Sequence, residues 1–366
     1  MSIMDKLKKN SRLKHTKTLD QSTIFKDQDV IQTDVPMINV ALSGSLKGGL
    51  TGGLTVLAGP SKHFKTSFAF LMAAAYLKKH KDAVMLFYDS EFGSPEGYFD
   101  TYGIDTSRVL HVPIMNIEEL KFDLTHQLET CITREDKVII VIDSIGNLAS
   151  KKEIDDALKE SDKADMTRAK QLKSVFRMAT PYLSVNDIPM LAINHTYQTQ
   201  EMFSKAVVSG GTGIYYSADN IWIIGRRQER EGTEVTGYHF IINEEKSRFV
   251  REKSKIPISV SWEGGIEKYS GLLDIAVEGG FVYKGKKGRS LGFFHMDKET
   301  GEVEEKAHYE RETMNAEFWD RYLKSEAFNT YIESRYKISY AKPVDEDDEV
   351  EVEDIGESPD AVGTEL

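Results

Sequence analysis

Short, nearly continuous apolar runs alternate along the chain with stretches whose apolar residues recur every three or four positions. The runs are 54–58, 83–88, 138–142, 190–193 and 221–224, rich in Val, Ile and Leu. Runs of this length, apolar on both alternating sets of positions, suit strands buried on both faces of a parallel sheet. Between them, Phe68, Leu71, Met72 and Ala75 fall at i, i+3, i+4 and i+7, and Leu172, Val175, Phe176 and Ala179 repeat that spacing. Each set lines one face of a helix. The alternation predicts an α/β fold, a mostly parallel sheet with helices on both faces. A shorter Gly- and Lys-containing region follows residue 270, with a helical stretch near 314–337. No internal repeat is seen.

Composition narrows the class. With 366 residues and 40% apolar content, the chain has enough material for one large domain with appendages or two modest ones. No apolar run approaches the roughly 20 residues of a membrane span. The polar, basic N-terminus lacks the apolar centre of a secretory signal. The single cysteine, Cys131, forms no intrachain disulfide and no metal cluster, so a reducing, cytoplasmic setting is expected. The net charge of −12 argues against nucleic acid only until its distribution is read. Residues 344–366 hold eleven acids and no Lys or Arg, leaving a net −1 over residues 1–343. Residues 1–17 carry a net +5. A like-charge block of this kind repels itself and is expected to be a disordered tail. It serves either solubility or electrostatic competition for a DNA groove.

Gly59-Pro60-Ser61-Lys62-His63-Phe64-Lys65-Thr66 follows a predicted strand and opens a predicted helix. In that context successive backbone N–H groups point at a phosphate chain. Lys65 then neutralises the β/γ charge of ATP and the Thr66 hydroxyl ligates Mg²⁺. Phe64 stands where the Walker A pattern expects glycine, and the residues alone do not explain it. The 138–142 run ends in Asp143, the Walker B form, whose carboxylate belongs in the Mg²⁺ shell. The 83–88 run leads into Asp89-Ser90-Glu91, which places Glu91 to orient and deprotonate an attacking water, or else to cap a helix.

The order of these motifs, followed by Ala192-Ile193-Asn194-His195-Thr196, resembles the RecA-type recombinases, and within them those of T-even-like bacteriophages. The stretches 57–62, 86–93, 143–153, 193–196, 199–205 and 269–274 carry the likeness, which fades after about residue 280. The resemblance implies a RecA-like P-loop ATPase that forms helical filaments on single-stranded DNA and exchanges strands with a homologous duplex. It implies DNA-stimulated ATP hydrolysis in recombination, repair and recombination-dependent replication, with single-strand-binding and mediator proteins as accessories. It gives Glu91 the catalytic role, Tyr98 a stacking position on adenine, and His195 the place of a γ-phosphate-sensing glutamine. Imidazole differs from glutamine in titrating near neutral pH. Lys246 and Arg248 resemble the cation pair that reaches the phosphates of the adjacent subunit. They alternate on a strand-like stretch and so point the same way.

Two long segments, about 149–166 and 196–214, follow strand ends on the phosphate side and match the family's DNA-binding loops. Gly210, Gly211, Thr212 and Gly213 offer close backbone approach to a phosphate, Phe203 and Lys205 a stacking face and a charge. Arg168, Lys170 and Arg177 open the next helix and are placed to track a nucleic-acid backbone. A flexible surface loop and an ordinary charged helix face remain the alternative. Ile24, Phe25, Val30 and Ile31 either dock on a neighbouring protomer or pack within their own. The expected layout is a basic arm (1–32), an ATPase core (33–270), a small C-terminal α/β region (271–343) and the acidic tail (344–366). A ring helicase and an ATP-gated mediator are the competing functions.

Overall fold

The computed structural model describes residues 1–13, 15–22, 24, 28–159, 167–199, 206–231, 234–262, 265–288 and 290–339. The acidic tail, Phe25, Phe203 and Lys205 lie outside the described residues. The strands are β1 (Gly53–Ala58), β2 (Val84–Asp89), β3 (Val109–Pro113), β4 (Val138–Asp143), β5 (Pro189–Asn194), β6 (Thr196–Gln198) and β7 (Ala206–Val208). They continue with β8 (Asn220–Glu231), β9 (Glu234–Ser247), β10 (Lys255–Ser261), β11 (Gly265–Ile266), β12 (Val282–Lys287), β13 (Ser290–Met296) and β14 (Val303–His308). The α-helices are α1 (Ile3–Asn10), α2 (Pro36–Ser43), α3 (Lys65–Lys79), α4 (Glu96–Thr101), α5 (Ile117–His126) and α6 (Lys151–Leu158). They continue with α7 (Thr167–Asn186), α8 (Thr212–Ser217), α9 (Leu272–Glu278), α10 (Ala316–Leu323) and α11 (Glu326–Tyr336).

All five apolar runs become strands of one nine-stranded sheet, ordered β11-β10-β9-β8-β1-β5-β4-β2-β3. From β8 to β3 every pairing is parallel, and beyond β8 the sheet continues antiparallel. Parallel strands share a direction, so their carboxyl ends collect on one edge. The register pairs Ala58 with Asn194 and Asp89 with Asp143. That edge carries the candidate chemistry.

Helices cover both faces. Phe68, Phe70 and Met72 of α3 pack on one side, and Leu172, Val175, Phe176 and Ala179 of α7 are all buried on the other. Leu71 and Ala75 are only partly buried, because α3 presents them to a groove also lined by Val30 and Thr33. The expected helical stretch near 314–337 is two helices, broken at Lys324-Ser325, where the Ser325 hydroxyl accepts from Phe328 N–H at 3.3 Å. Phe318, Trp319 and Phe328 join the same buried cluster as α3.

Of the apolar arm residues, Ile31 belongs to its own protomer's core. It is 1% exposed and exchanges backbone hydrogen bonds with Leu50 at 2.8 and 2.9 Å. Val30 is exposed, as are Ile3, Met4 and Leu7 of α1, which buries no residue.

One buried carboxyl has no chemical task in sight. Glu244 on β9 is 1% exposed, lies beside the Trp222 indole, and neither of its oxygens completes a hydrogen bond among the described residues. Burial pushes its pKa well above the ordinary value. The unfolded chain therefore ionises first, and folding loses stability as pH rises from the unfolded value toward the folded one, by up to about 1.4 kcal/mol per pH unit. Glu244→Gln removes that decline. Urea unfolding at pH 4.5 and pH 7.5 should show the variant gaining on the wild type at the higher pH; a constant difference would contradict this account.

Candidate active site

The loop from Gly59 to Phe64 connects β1 to α3, and Lys62 and Phe64 adopt left-handed backbone, with φ of 61° and 56°. A Cβ on Gly59 would stand 3.0 Å from the Ile224 carbonyl, close enough that β8 would have to yield slightly to admit it. Left-handed backbone costs a side chain about 1–2 kcal/mol. Phe64 recovers much of this by leaving the loop: its ring packs 5.0 Å from Phe240 and 6.5 Å from Phe68, and such aromatic pairs contribute about 0.5–1.5 kcal/mol. The side chain that the motif does not expect thus packs against the core while still bordering the cavity beside Lys65. His63 Nδ1 lies 2.9 Å from the Ser61 carbonyl, and burial lowers its pKa.

Lys65 and Thr66 begin α3. Lys65 is buried, and its Nζ donates to the Pro60 carbonyl at 2.8 Å. Burial lowers its pKa, opposed by the charges of Glu91 and Asp143. Thr66 Oγ1 donates to Asp143 Oδ2 at 2.8 Å. Asp143 Oδ1 is buried without a partner among the described residues, and burial raises the carboxyl to about 6. A hydroxyl and a carboxylate with one open oxygen are the donor set a hard, oxygen-loving cation such as Mg²⁺ takes. The residues fit that ion.

Glu91 is held from two strand ends at once. Its Oε1 accepts from Ser144 Oγ at 2.5 Å and Asn147 Nδ2 at 3.2 Å, and lies 3.2 Å from His195 Nε2. The His195 hydrogen bond is the chief reason its pKa falls to about 2, and burial opposes it. Glu91 therefore stays ionised and acts better as an orienting acceptor than as a proton store. Its backbone is placed by Asp89, whose Oδ1 accepts from the N–H groups of Glu91 and Phe92 at 3.0 and 2.8 Å, while Oδ2 lies 3.1 Å from His111 Nε2. Ser144, Asn147 and Asp89 were not singled out from sequence. An Asp at a strand end two residues before a functional carboxylate is an Asx-turn signal that would have found the last.

These groups border a cavity of about 670 Å³ that also touches Tyr98, Tyr238 and Trp262. The Tyr98 hydroxyl hydrogen-bonds the Ser67 hydroxyl, and its ring lies 5.4 Å from Phe70. Across the cavity, Tyr238 and Trp262 approach to 6.2 Å, with the Arg226 guanidinium 4.7 Å over Tyr238. This second aromatic wall was missed, because residues on β9 and beyond β10 give no sequence signal that the sheet brings them to the loop.

Lys246 and Arg248 stand elsewhere. β9 runs antiparallel to β8 with Ser247 opposite Asn220, so both cations reach the sheet edge where β1 begins, away from their own phosphate loop. Within the protomer Lys246 Nζ donates to the Tyr215 carbonyl and to Ala218 O at 2.7 Å, closing the end of α8. Arg248 pairs with Asp219 at 2.6 Å. They do point the same way, toward Asp219, and neither is a free cation.

The expected DNA side is partly reshaped. The first segment contains α6, and the second begins as the β6–β7 hairpin, with 160–166 and 200–205 outside the described residues. Lys170 and Arg177 are exposed on α7. Arg168 corrects the expectation: its guanidinium turns inward onto backbone carbonyls at 2.6–3.0 Å. Gly213 is glycine for packing, since a Cβ there would stand 2.6 Å from that of Lys173, and Gly210 has Leu172 and Ile214 within 3.0 Å. Gly211, at φ 78°, would carry a Cβ only in ordinary contact with Ala169, at 3.7 Å, so its glycine answers to backbone conformation.

The doubly covered sheet, with its phosphate loop, Asp143 and Glu91 on one edge, defines a RecA-like P-loop protein. Comparison agrees: RecA proteins of Cytophaga hutchinsonii and of a Nocardioides species are each 26% identical, over 73% and 68% of this chain and 76% and 71% of theirs. The bacteriophage T4 recombination and repair protein is 48% identical, over 96% of this chain and 89% of its own. The profile described as "Bacteriophage T4, Recombination and repair protein, C-terminal domain" matches residues 269–332. The chain belongs to the family of that phage protein, UvsX, within the RecA-type recombinases.

Gly146 tests the site without touching its charges. A Cβ there would overlap the His195 ring, so Gly146→Ala should displace His195 from Glu91. We expect nucleotide affinity to persist by fluorescence titration while turnover falls about 10-fold or more, as small misplacements of positioned groups do. Unchanged turnover would deny the His195–Glu91 contact a role.

Proposed function

We propose that this recombinase is a DNA-dependent ATPase that takes ATP with Mg²⁺, polymerises on single-stranded DNA and pairs it with a homologous duplex. One observation supports it above the rest: the family's two phosphate-directed cations, Lys246 and Arg248, emerge at the sheet edge opposite the protomer's own phosphate loop. They meet a nucleotide only where a second copy stacks head to tail, and such an interface, when it does not close, makes a helical polymer.

In this reading the loop amides and the Lys65 ammonium grip the phosphates, releasing Lys65 from Pro60 O. Thr66 and Asp143 would hold Mg²⁺, which would supply neutralisation of the phosphate charge. Glu91, ionised and fixed by Ser144 and Asn147, orients the attacking water. His195, between Glu91 and the γ-phosphate position, exchanges one partner for the other as the nucleotide changes. Tyr98 or the Tyr238–Trp262 wall receives the base. Lys246 and Arg248 of one protomer leave α8 and Asp219 to complete the neighbour's site. Lys170, Arg177, Gly211 and Thr212, with Phe203 and Lys205, form the path for DNA. Contacts of this kind neutralise phosphates and read no bases, so binding is salt-sensitive and indifferent to sequence. Single-strand-binding and mediator proteins are the expected accessories, and the acidic tail the expected competitor for the groove.

Lys65→Ala should abolish ATP turnover, by about 100-fold or more, with and without single-stranded DNA. Electron micrographs of wild type with ATP and single-stranded DNA should show helical filaments. Closed rings would favour a helicase and isolated particles a mediator.

A further inference from the structure

Arg168 sits at the second residue of α7, just after the first expected DNA loop, yet it faces the protein. Its Nη2 donates to the carbonyls of Gly146 at 2.6 Å and Ile145 at 3.0 Å, Nε donates to that of Leu148 at 2.9 Å, and Nη1 reaches Ser209 Oγ at 3.4 Å. The three carbonyls belong to the short segment that leaves β4. The opposite side of that segment holds Glu91 through Ser144 and Asn147, and Gly146 abuts the His195 ring. Ser209 opens the glycine turn of the second loop and is itself tied back: its N–H donates to His195 O at 2.9 Å, and its carbonyl accepts from Asn194 Nδ2 at 2.7 Å. A closed circuit results, from Arg168 through 145–148 to Glu91 and His195, and by Ser209 back to Arg168.

We propose that Arg168 is a positioning residue that clasps the bases of the two DNA loops and relays DNA engagement to Glu91, without contacting DNA itself. This rests on the proposed DNA-dependent ATPase. The chemistry favours the clasp. Three carbonyl acceptors in different directions match the fixed fork of a guanidinium and no other side chain. A phosphate contact would have to break charge-assisted hydrogen bonds that already satisfy the group and leave buried carbonyls bare. Movement of either loop base on DNA instead shifts the segment carrying Ser144 and Asn147, and with it the carboxylate they hold.

The test uses full-length protein and three readouts: single-stranded DNA affinity against salt, basal turnover, and DNA-stimulated turnover at saturating DNA. Arg168→Lys keeps the charge but reaches one carbonyl at most; Arg168→Ala removes both, and thermal melting checks that each variant is folded. The clasp predicts that both variants bind DNA within about 3-fold of wild type with the same salt slope. It also predicts that both lose stimulation, by about 10-fold or more. The proposal is overturned if Arg168→Lys keeps wild-type stimulation while Arg168→Ala loses affinity and about one unit of salt slope, the signature of a phosphate contact. Should Arg168→Ala fail to fold, the Lys variant alone decides between these outcomes. Wild type that hydrolyses ATP at the same rate with and without DNA would instead overturn the parent function, and the relay with it.

Discussion

Lys65 and Asp143 are drawn out of water at one edge of a parallel sheet, with the more exposed Glu91 beside them, and buried charges persist there only by answering one another. An ion without a partner in such a place costs several kcal/mol. The shifts show the balance: burial pulls Lys65 down while Glu91 and Asp143 hold it up, and burial raises Asp143 against the Thr66 hydrogen bond. What brings them together is strand direction. The pairing of Asp89 with Asp143 and Ala58 with Asn194 fixes four strand ends at one level, and the residues just past each end supply loop, carboxylate and imidazole. The chemistry is a consequence of register.

The same register separates the cation pair from this edge. β8 and β9 form a long antiparallel hairpin, so its two ends serve different places. Arg226 and Tyr238, toward the hairpin's turn, border the protomer's own cavity; Lys246 and Arg248 end at the far edge. A site whose parts lie on opposite edges of one sheet is incomplete in a single copy. In the proposed assembly, hydrolysis that needs both parts is tied to polymerisation, with no separate sensor of the polymer. On that proposal the intramolecular partners of Lys246 and Arg248 are a resting state that keeps two cations satisfied until a neighbour arrives.

How much of this was legible in the sequence varied with the range of the interaction involved. The five buried strands, the buried face of α7 and the strand–loop–helix setting of residues 59–66 rest on local periodicity and on neighbours in the chain, and the sequence pattern carried them. Of the α3 face it carried Phe68 and Met72, while Leu71 and Ala75 are partly buried. The left-handed Phe64 was puzzling because its compensation, Phe240, lies far along the chain on β9. Of the β8–β9 hairpin only Ile221–Ile224 and the strand-like stretch around Lys246 were foreseen, since its outer half is polar and supported by cross-strand pairing. Ile31 could be read as arm or core with equal justice until the Leu50 bridge assigned it to the core. The inward turn of Arg168 was hidden for a different reason. A basic residue opening a helix beside a loop suggests phosphate, and nothing local reveals that three carbonyls converge on it.

Helix geometry separates Arg168 from the cations that remain candidates for DNA. At about 100° per residue, Lys170, Lys173 and Arg177 fall along one stripe of α7, and all three are exposed. Arg168 lies about 200° around the helix from Lys170, on the side that meets the strand ends. A helix so divided can present charge to a nucleic-acid backbone on one side while its first turn grips the catalytic segment on the other. The overall acidity of the chain hides this, because it resides in residues 344–366 and leaves the rest close to neutral. A near-neutral body with a short basic stripe binds phosphate by local potential, not by net charge. If Arg168 acts as proposed, it is on α7, with an exposed basic stripe on one side and the Arg168 clasp on the other, that binding and hydrolysis are joined.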